Sequence, residues 1–314
     1  MHEVLHAIGV FFDRLAAVHW QPLGIAVCFH LLKLIVISRA WRNVVAKAYP
    51  KSQVRWRTMF GAYVAGTGVN ALVPARGGDA VKLYIAKRRV EGATYTTLAA
   101  TIVLMTLFDM VVAGGFVLWA ISLGVLPGLN VLPHLPSFDF HWFFEHPRVG
   151  LVVLVAVALL LSSGVIWAMR KVEEFKRRVA QGFAAFDDKR YWVSRVAVLQ
   201  VVDWTLRLTV VFFFLRAFGL PATLHNALLV QVSQSLATVF PFSPAGIGTE
   251  QAFLLYVFRG IVSRTALLSF SVGMRVTLIV INAALGFSSI LLTLRTLRWR
   301  RMIEAEPPAS AETS

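Results

Sequence analysis

Long runs of apolar residues recur along this chain of 314 residues. Several of them approach the roughly 20 residues that an α-helix needs to cross the ~30 Å hydrocarbon core of a bilayer. Hydrophobic residues make up 57% of the sequence and charged residues only 15%, so few of these runs are broken by charge. We therefore predict an all-α, polytopic helical membrane protein.

The net charge of +15 could indicate a nucleic-acid partner. The Lys and Arg residues, however, stand in short clusters beside the apolar runs, and such clusters encode the orientation of a membrane protein. We therefore expect membrane lipid, and no nucleic acid, as the partner of this chain.

The alternation of apolar runs and basic clusters predicts five full crossings, at residues 20–38, 96–123, 149–169, 196–218 and 265–294. The basic loop after the first crossing and the basic segment 170–195 are expected in the cytoplasm, because Lys and Arg favour that side. The linker 124–148, rich in Pro and aromatic residues, is expected outside. A multi-pass protein of the cytoplasmic membrane follows, with its N-terminus outside and its C-terminus in the cytoplasm.

Two stretches rich in Gly and Pro, residues 70–84 and 240–256, interrupt apolar runs. Backbone that leaves the helix at membrane depth must be buried in protein or line a wet cavity. We predict that each break lies in a re-entrant helical hairpin, one at 58–88 that enters from the cytoplasm and one at 225–260 that enters from outside. Three full crossings separate these hairpins, so the two halves would form an inverted repeat around a midplane site.

The same patterns divide the chain into three parts. Residues 1–18 form an N-terminal amphipathic segment, residues 19–297 form the transmembrane domain, and the polar residues 298–314 are expected to be a disordered tail.

The residues of the two breaks resemble flippase-like integral membrane proteins related to the lysylphosphatidylglycerol synthase transmembrane domain. The first block has the pattern N-x-x-x-P-x-R-x-G-D-x-V-K from Asn70 to Lys82, and the second has P-x-G-x-G from Pro244, followed by Glu250. The basic end of the first span, Arg39 to Arg42, and Asp109 in the third membrane segment also match. The resemblance covers about residues 20 to 295 and implies movement of a lipid, or of a lipid-linked headgroup, between leaflets.

The chain also departs from this family. Members often carry Glu-Arg just before the Asp of the third segment, whereas Met105 and Thr106 stand there in this chain, so we expect no ion pair at that place. The aminoacyl-transfer domain of the synthase is missing from the sequence, so aminoacyl transfer is not supported and we expect no enzyme activity.

Three short motifs point to chemistry that the rest of the sequence does not support. His2 to His6 match H-E-x-x-H, but no third zinc ligand is evident, so we expect no metal site. Gly66 to Ala71 match G-x-G-x-x-A inside a membrane helix, where small residues more often serve helix packing. The sequence has no G-x-x-x-x-G-K-[ST] motif, so we do not expect ATP hydrolysis through a P-loop, and we predict no cofactor.

Candidate substrate-binding residues lie at the breaks. The Arg76 fork suits a phosphate, Lys82 adds a point charge, and glycines allow close backbone approach. The full set is Asn70, Arg76, Gly77, Gly78, Lys82, Gly246 and Gly248. The alternative is that Arg76 and Lys82 only set topology.

Acidic residues in apolar surroundings are the second group of candidates. Asp79, Asp109 and Glu250 are predicted to couple transport to protons or to gate it, although Asp79 and Glu250 could simply cap helices. Asp203 and Arg207, at i,i+4 spacing, are predicted to form a structural ion pair. Arg275 has no nearby acid in the sequence and needs one from another segment.

These observations predict a lipid flippase-like transporter that moves a phospholipid or a polyprenyl-phosphate type of lipid between leaflets. Two alternatives stay open: a membrane-embedded transferase that acts on lipid-linked substrates, and a scaffold or subunit that transports nothing.

The predicted orientation can be tested by cysteine labelling, because Cys28 is the single native cysteine. In a variant without it, single cysteines placed in 41–57, 170–195 or the C-terminal segment should react only from the cytoplasmic side. Cysteines in 124–148 should react only from outside. Labelling of residue 51 from outside would contradict the inverted-repeat topology.

Overall fold

A computed structural model describes residues 18–73, 77–122, 173–239 and 249–305. Every regular element in these ranges is a helix, which confirms the prediction of an all-α protein. The helices are α1 (Trp20–Ala48), α2 (Trp56–Leu72), α3 (Gly77–Arg89), α4 (Tyr95–Ser122), α5 (Glu173–Asp187), α6 (Lys189–Ala217), α7 (Leu224–Val239), α8 (Thr249–Val257) and α9 (Arg264–Ala305).

Four of the described helices are long and apolar enough to cross a membrane. Their apolar lengths are Trp20–Ala48, Tyr95–Ala120, Lys189–Ala217 and Arg264–Leu292. They correspond to four of the five predicted crossings. The fifth, at 149–169, lies outside the described residues, as do the linker 124–148 and the N-terminal segment up to residue 17.

The boundary predicted for the C-terminal tail at residue 298 falls inside α9, which continues to Ala305. No Gly or Pro interrupts residues 287–305, and Leu, Arg and Met there are good helix formers. The helix therefore extends past the apolar part of the segment. The rest of the predicted tail, 306–314, lies outside the described residues.

Helices α2 and α3 form a closely packed antiparallel pair. Asn70 of α2 contacts Gly78 of α3, whereas Tyr63, two turns earlier, contacts Lys82, one turn later. The helices have 17 and 13 residues, or about 25 and 20 Å at 1.5 Å per residue, so each is shorter than the ~30 Å core.

Glycines set the closest approaches between helices. A Cβ on Gly78 would lie 1.9 Å from the carbonyl oxygen of Gly66, and one on Gly68 would lie 2.6 Å from the Cα of Gly286 on α9. The G-x-G-x-x-A sequence at Gly66 therefore serves helix packing, as predicted, with one glycine against α3 and the other against α9.

Two apolar clusters form the core. The first, near the basic ends of the helices, takes residues between Ile37 and Ala48 from α1 and Val196 from α6, together with residues of α2, α3, α4 and α5. The second takes Ala26 from α1 and Val210 to Leu215 from α6, together with residues of α7, α8 and α9. The middle turns of α1 and α6 therefore lie between the two clusters.

Helix α5 packs across the basic end of the molecule. Its Gly182 lies against Thr97 and Ala100 of α4, and Gln181 donates a hydrogen bond to the carbonyl of Ala48. Asp188, the residue after α5, accepts a hydrogen bond of 2.7 Å from Lys47 of α1. This hydrogen bond lowers the pKa of the Asp188 carboxyl. These contacts join α1, α4, α5 and α6 at one end.

Replacing Gly68 by Ala should destabilise the protein, because the new methyl group would collide with backbone atoms of α9 rather than with a movable side chain. We expect a loss of about 1–3 kcal/mol, the usual cost of overpacking, measured by thermal unfolding in detergent. Gly114→Ala is the matched control, since a Cβ there meets nothing within 4 Å. Equal stability of the two variants would contradict the described crossing of α2 and α9.

Candidate functional site

Each of the four crossing helices carries an ionisable residue near its middle. Lys33, Asp109, Asp203 and Arg275 all lie within three residues of the midpoint of their apolar helix. A charged side chain at that depth costs about 2.5–3.5 kcal/mol on insertion scales unless it is paired or hydrated. The structure places charged groups near all four residues, on another helix for Lys33, Asp109 and Arg275 and on the same helix for Asp203.

Four of the predicted site residues line one cavity of about 300 Å³. They are Asn70 from α2, Asp79 and Lys82 from α3, and Asp109 from α4. Apolar and aromatic residues, among them Trp41 and Ile37 of α1, complete the wall. The predicted substrate-binding and gating residues of the first break are therefore brought together.

Lys82 is the buried cation of this cavity, with 8% of its surface exposed. Its Nζ lies 3.0 Å from Oδ1 of Asp79, one turn earlier on α3. The same ammonium lies 4.5 Å from the ring centroid of Tyr63 and 5.7 Å from that of Trp41. A carboxylate and two aromatic faces thus stabilise a positive charge that could also meet an anion in the cavity.

Asn70 and Gly78 organise the start of α3. The Gly78 N–H donates to Oδ1 of Asn70 at 2.7 Å, so the amide side chain satisfies one of the free donors at this helix end. Asp79 stands in the first turn, where the helix dipole favours a negative charge. Asn70 therefore performs part of the helix capping that the sequence alternatively assigned to Asp79.

Asp109 lies at the junction between the cavity and α6. Its Oδ1 accepts a hydrogen bond from Nε1 of Trp204 at 2.9 Å, and its Oδ2 lies 3.2 Å from a guanidinium nitrogen of Arg207. Asp109 is thus ion-paired without the Glu-Arg of the family. Met105 and Thr106 provide no charge, but the cation comes from a different helix.

Arg207 binds two carboxylates at once. Besides Asp109 on α4, it donates through Nε to Oδ2 of Asp203, one turn earlier on α6, at 2.6 Å. Lys33 of α1 lies within electrostatic range of all three groups. The pair at i,i+4 spacing is thus part of a larger cluster that links α1, α4 and α6.

Glu250 belongs to a second polar cluster among the apolar residues of α7, α8 and α9. Its Oε2 lies 3.3 Å from NH1 of Arg275, and its Oε1 accepts from Nε2 of Gln234 at 3.2 Å. Arg275 therefore receives its acid from another segment, as the sequence required. Glu250 does not line the cavity that holds Asp79 and Lys82.

Three predicted site residues, Arg76, Gly246 and Gly248, lie outside the described residues. Two of the predicted site glycines, Gly77 and Gly78, are described. Gly78 packs against the backbone of Gly66, whereas a Cβ on Gly77 would meet only the side chain of Val73, at 3.3 Å. A role for these glycines in substrate binding stays a prediction.

The sequence interpretation missed the aromatic residues of the site. Tyr63 and Trp41 contact Lys82, and Trp204 holds Asp109. Only Trp204 carried a sequence signal, because it stands between Asp203 and Arg207 on the same turns of α6. The buried His30 of α1 is also paired, through a hydrogen bond of 2.8 Å to Asn282 of α9.

Comparison with known proteins gives a consistent match. A family model described as the lysylphosphatidylglycerol synthase transmembrane region matches residues 7–286. Among curated proteins, the UPF0104 membrane protein MJ1078 of Methanocaldococcus jannaschii is 20% identical over 191 residues, which cover 61% of this chain and 79% of that protein. No solved structure matches.

Proposed function

Because the chain belongs to the family of the lysylphosphatidylglycerol synthase transmembrane region, we propose that it is a lipid flippase-like transporter. It moves the headgroup of a phospholipid, or of a polyprenyl-phosphate type of lipid, between the leaflets of the cytoplasmic membrane. The family membership supports a membrane protein concerned with lipid, and the direction and substrate are part of the proposal.

The observation that carries the proposal is the buried Lys82–Asp79 pair in a cavity bounded by membrane helices. A phosphate crossing the hydrocarbon core loses its water and needs a cation at that depth. Lys82 supplies the cation, and Asp79 keeps it neutralised while the site is empty of substrate. An entering phosphate then competes with Asp79 for the ammonium, so substrate binding and rearrangement of this pair are coupled.

The size of the cavity suits a headgroup rather than a whole lipid. About 300 Å³ is at the lower end of ligand pockets, which span roughly 300–1,000 Å³. A phosphate with a small polar group fits in this volume, and the acyl or polyprenyl tails stay in the surrounding lipid. Thr67 and Thr106 on the wall offer hydroxyl groups for further hydrogen bonds to such a headgroup.

The proposal includes the arrangement of the two halves. The pair of α2 and α3 and the pair of α7 and α8 act as re-entrant hairpins from opposite sides, in an inverted repeat. The described lengths of α2 and α3, 17 and 13 residues, support this part, because both fall short of the roughly 20 residues of an ordinary crossing. The two carboxylates at corresponding positions, Asp79 and Glu250, would then respond to substrate in turn.

We also propose that the chain carries out no chemical reaction on its lipid. Movement of a headgroup requires binding and release only, and the charged groups of the cavity, Asp79, Lys82 and Asp109, suit those two steps. A transferase acting on lipid-linked substrates would modify the headgroup, and a scaffold would leave the distribution of lipid between leaflets unchanged. The chemical structure of the lipid and its distribution after the assay therefore distinguish the three functions.

Lys82→Gln should reduce transport by about tenfold or more, since a charge-assisted hydrogen bond is worth ~1.5–3 kcal/mol. The measurement is the movement of an anionic reporter phospholipid in liposomes that contain the purified protein. Lys87→Gln is the matched control, because Lys87 lies on the same helix but is exposed and contacts the ring of Tyr95. This control should transport like the wild type.

The double variant Asp79→Asn/Lys82→Gln separates transport from folding. It removes both charges together, so no buried charge is left unpaired, and the fold should be retained while transport stays low. Equal transport by wild type and by both Lys82 variants would contradict the proposed role of the cavity. A chemically altered reporter lipid would instead favour the transferase.

A further inference from the structure

Two buried side-chain oxygen atoms on α6 lack a hydrogen-bond donor within the described part of the chain. Asp203 and Gln200 both have 0% of their surface exposed. The side-chain oxygens Oδ1 of Asp203 and Oε1 of Gln200 have no hydrogen-bond partner among the residues that the structure describes. The two residues are three apart on one helix, a spacing that places their side chains next to each other.

The remaining polar atoms of these two side chains are firmly held. Oδ2 of Asp203 accepts from Nε of Arg207 at 2.6 Å, and Nε2 of Gln200 donates to the carbonyl of Met105 at 3.1 Å. Turning the Gln200 amide over would place its oxygen against the Met105 oxygen, so its orientation is fixed by this contact. Oε1 therefore stays an acceptor without a donor.

Two acceptors cannot satisfy each other, but one proton can satisfy both. A proton bound to Oδ1 of Asp203 turns that oxygen into a donor, and Oε1 of Gln200 is the neighbouring acceptor. We propose that Asp203 is a proton-binding site of this protein, in which the new O–H group donates to Gln200. The proton comes from water and returns to water, with no other bond made or broken.

The charges around Asp203 link this proton to the cavity. Lys33 of α1, Asp109 of α4 and Arg207 of α6 lie within electrostatic range of Asp203, and so does the phenol of Tyr63 from α2. With Asp203 ionised, these charged groups sum to zero, and a proton on Asp203 makes the sum +1. Asp109 lines the cavity, so the added positive charge favours an anion there.

Proton binding and headgroup binding should therefore support each other. This consequence rests on the proposed function, because it takes the anion to be the phosphate of a lipid. It assigns Asp203 to coupling rather than to structure alone, and it gives the transporter a source of energy in a proton gradient. The proton site itself depends only on the contacts of α6.

Infrared difference spectroscopy of the full-length protein in lipid nanodiscs tests the site directly. A protonated buried carboxyl group gives a C=O stretch that disappears as the pH is raised, and Asp203→Asn should remove this signal. Asp188→Asn is the matched control, because Asp188 is a partly exposed carboxylate that accepts a hydrogen bond from Lys47. A signal that is absent from the wild type, or that persists in Asp203→Asn, overturns the proposal.

A second variant guards against misfolding of Asp203→Asn. Gln200→Met keeps the side-chain length but removes the acceptor, so the protonated form loses its hydrogen bond. The carboxyl signal should remain, with its midpoint moved to lower pH by roughly one unit. An unchanged midpoint overturns the assignment of Gln200 as the acceptor.

A sodium ion or a water molecule, instead of a proton, is the alternative occupant of the site between Asp203 and Gln200. If sodium alone, in place of a pH change, raises the thermal stability of the wild type and not of Asp203→Asn, the site binds a cation and the proton assignment is wrong. If neither pH nor sodium has any effect that depends on Asp203, the two oxygens hold water, which also overturns it.

Lipid movement under a pH gradient then separates this inference from the proposed function. Wild-type liposomes should move the anionic reporter at a rate that depends on the gradient, and Asp203→Asn should lose that dependence. A wild type that moves no lipid but keeps the infrared signal contradicts the transport function alone. Transport that ignores the gradient, in a protein that moves lipid, contradicts the coupling.

Discussion

Polar and charged groups in the middle of apolar helices need partners, and in this chain several of those partners come from other helices. Arg207 reaches across to Asp109, Glu250 reaches Arg275, and His30 reaches Asn282. Each link joins two different helices, and the first and the last join helices that are distant in sequence. A change in any of these pairs therefore alters how helices sit against each other, and the polar groups connect the packing of the fold to the properties of its cavity.

The apolar parts of the fold are arranged around this polar layer. On α1 and α6, the two apolar clusters lie on either side of the turns that carry Lys33, Asp203 and Arg207. Glycines allow α2 to approach both α3 and α9 so closely that the short hairpin fits between longer helices. The cavity forms where α1, α2, α3 and α4 meet, and Lys82 is held there by a carboxylate and two aromatic rings.

Local sequence signals account for the helices and for short-range contacts. The apolar runs predicted the four described crossings, and the i,i+4 spacing predicted the contact of Asp203 with Arg207. The second partner of Arg207 could not be predicted, because its distance from Asp109 depends on how α4 packs against α6. The same holds for Tyr63 and Trp41 around Lys82. Helix α9 continues past its apolar part to Ala305, where no Gly or Pro interrupts the good helix formers. The re-entrant entry of the hairpins stays a prediction.

A density map of the purified protein in nanodiscs of anionic phospholipid, determined by electron microscopy, would test the central claim most directly. The account predicts density for a lipid phosphate inside the cavity, within hydrogen-bonding distance of Nζ of Lys82, with its tails leading out between helices into the bilayer. Lipid density confined to the outer surface of the helices, with the Lys82–Asp79 pair intact and no headgroup in the cavity, would contradict it.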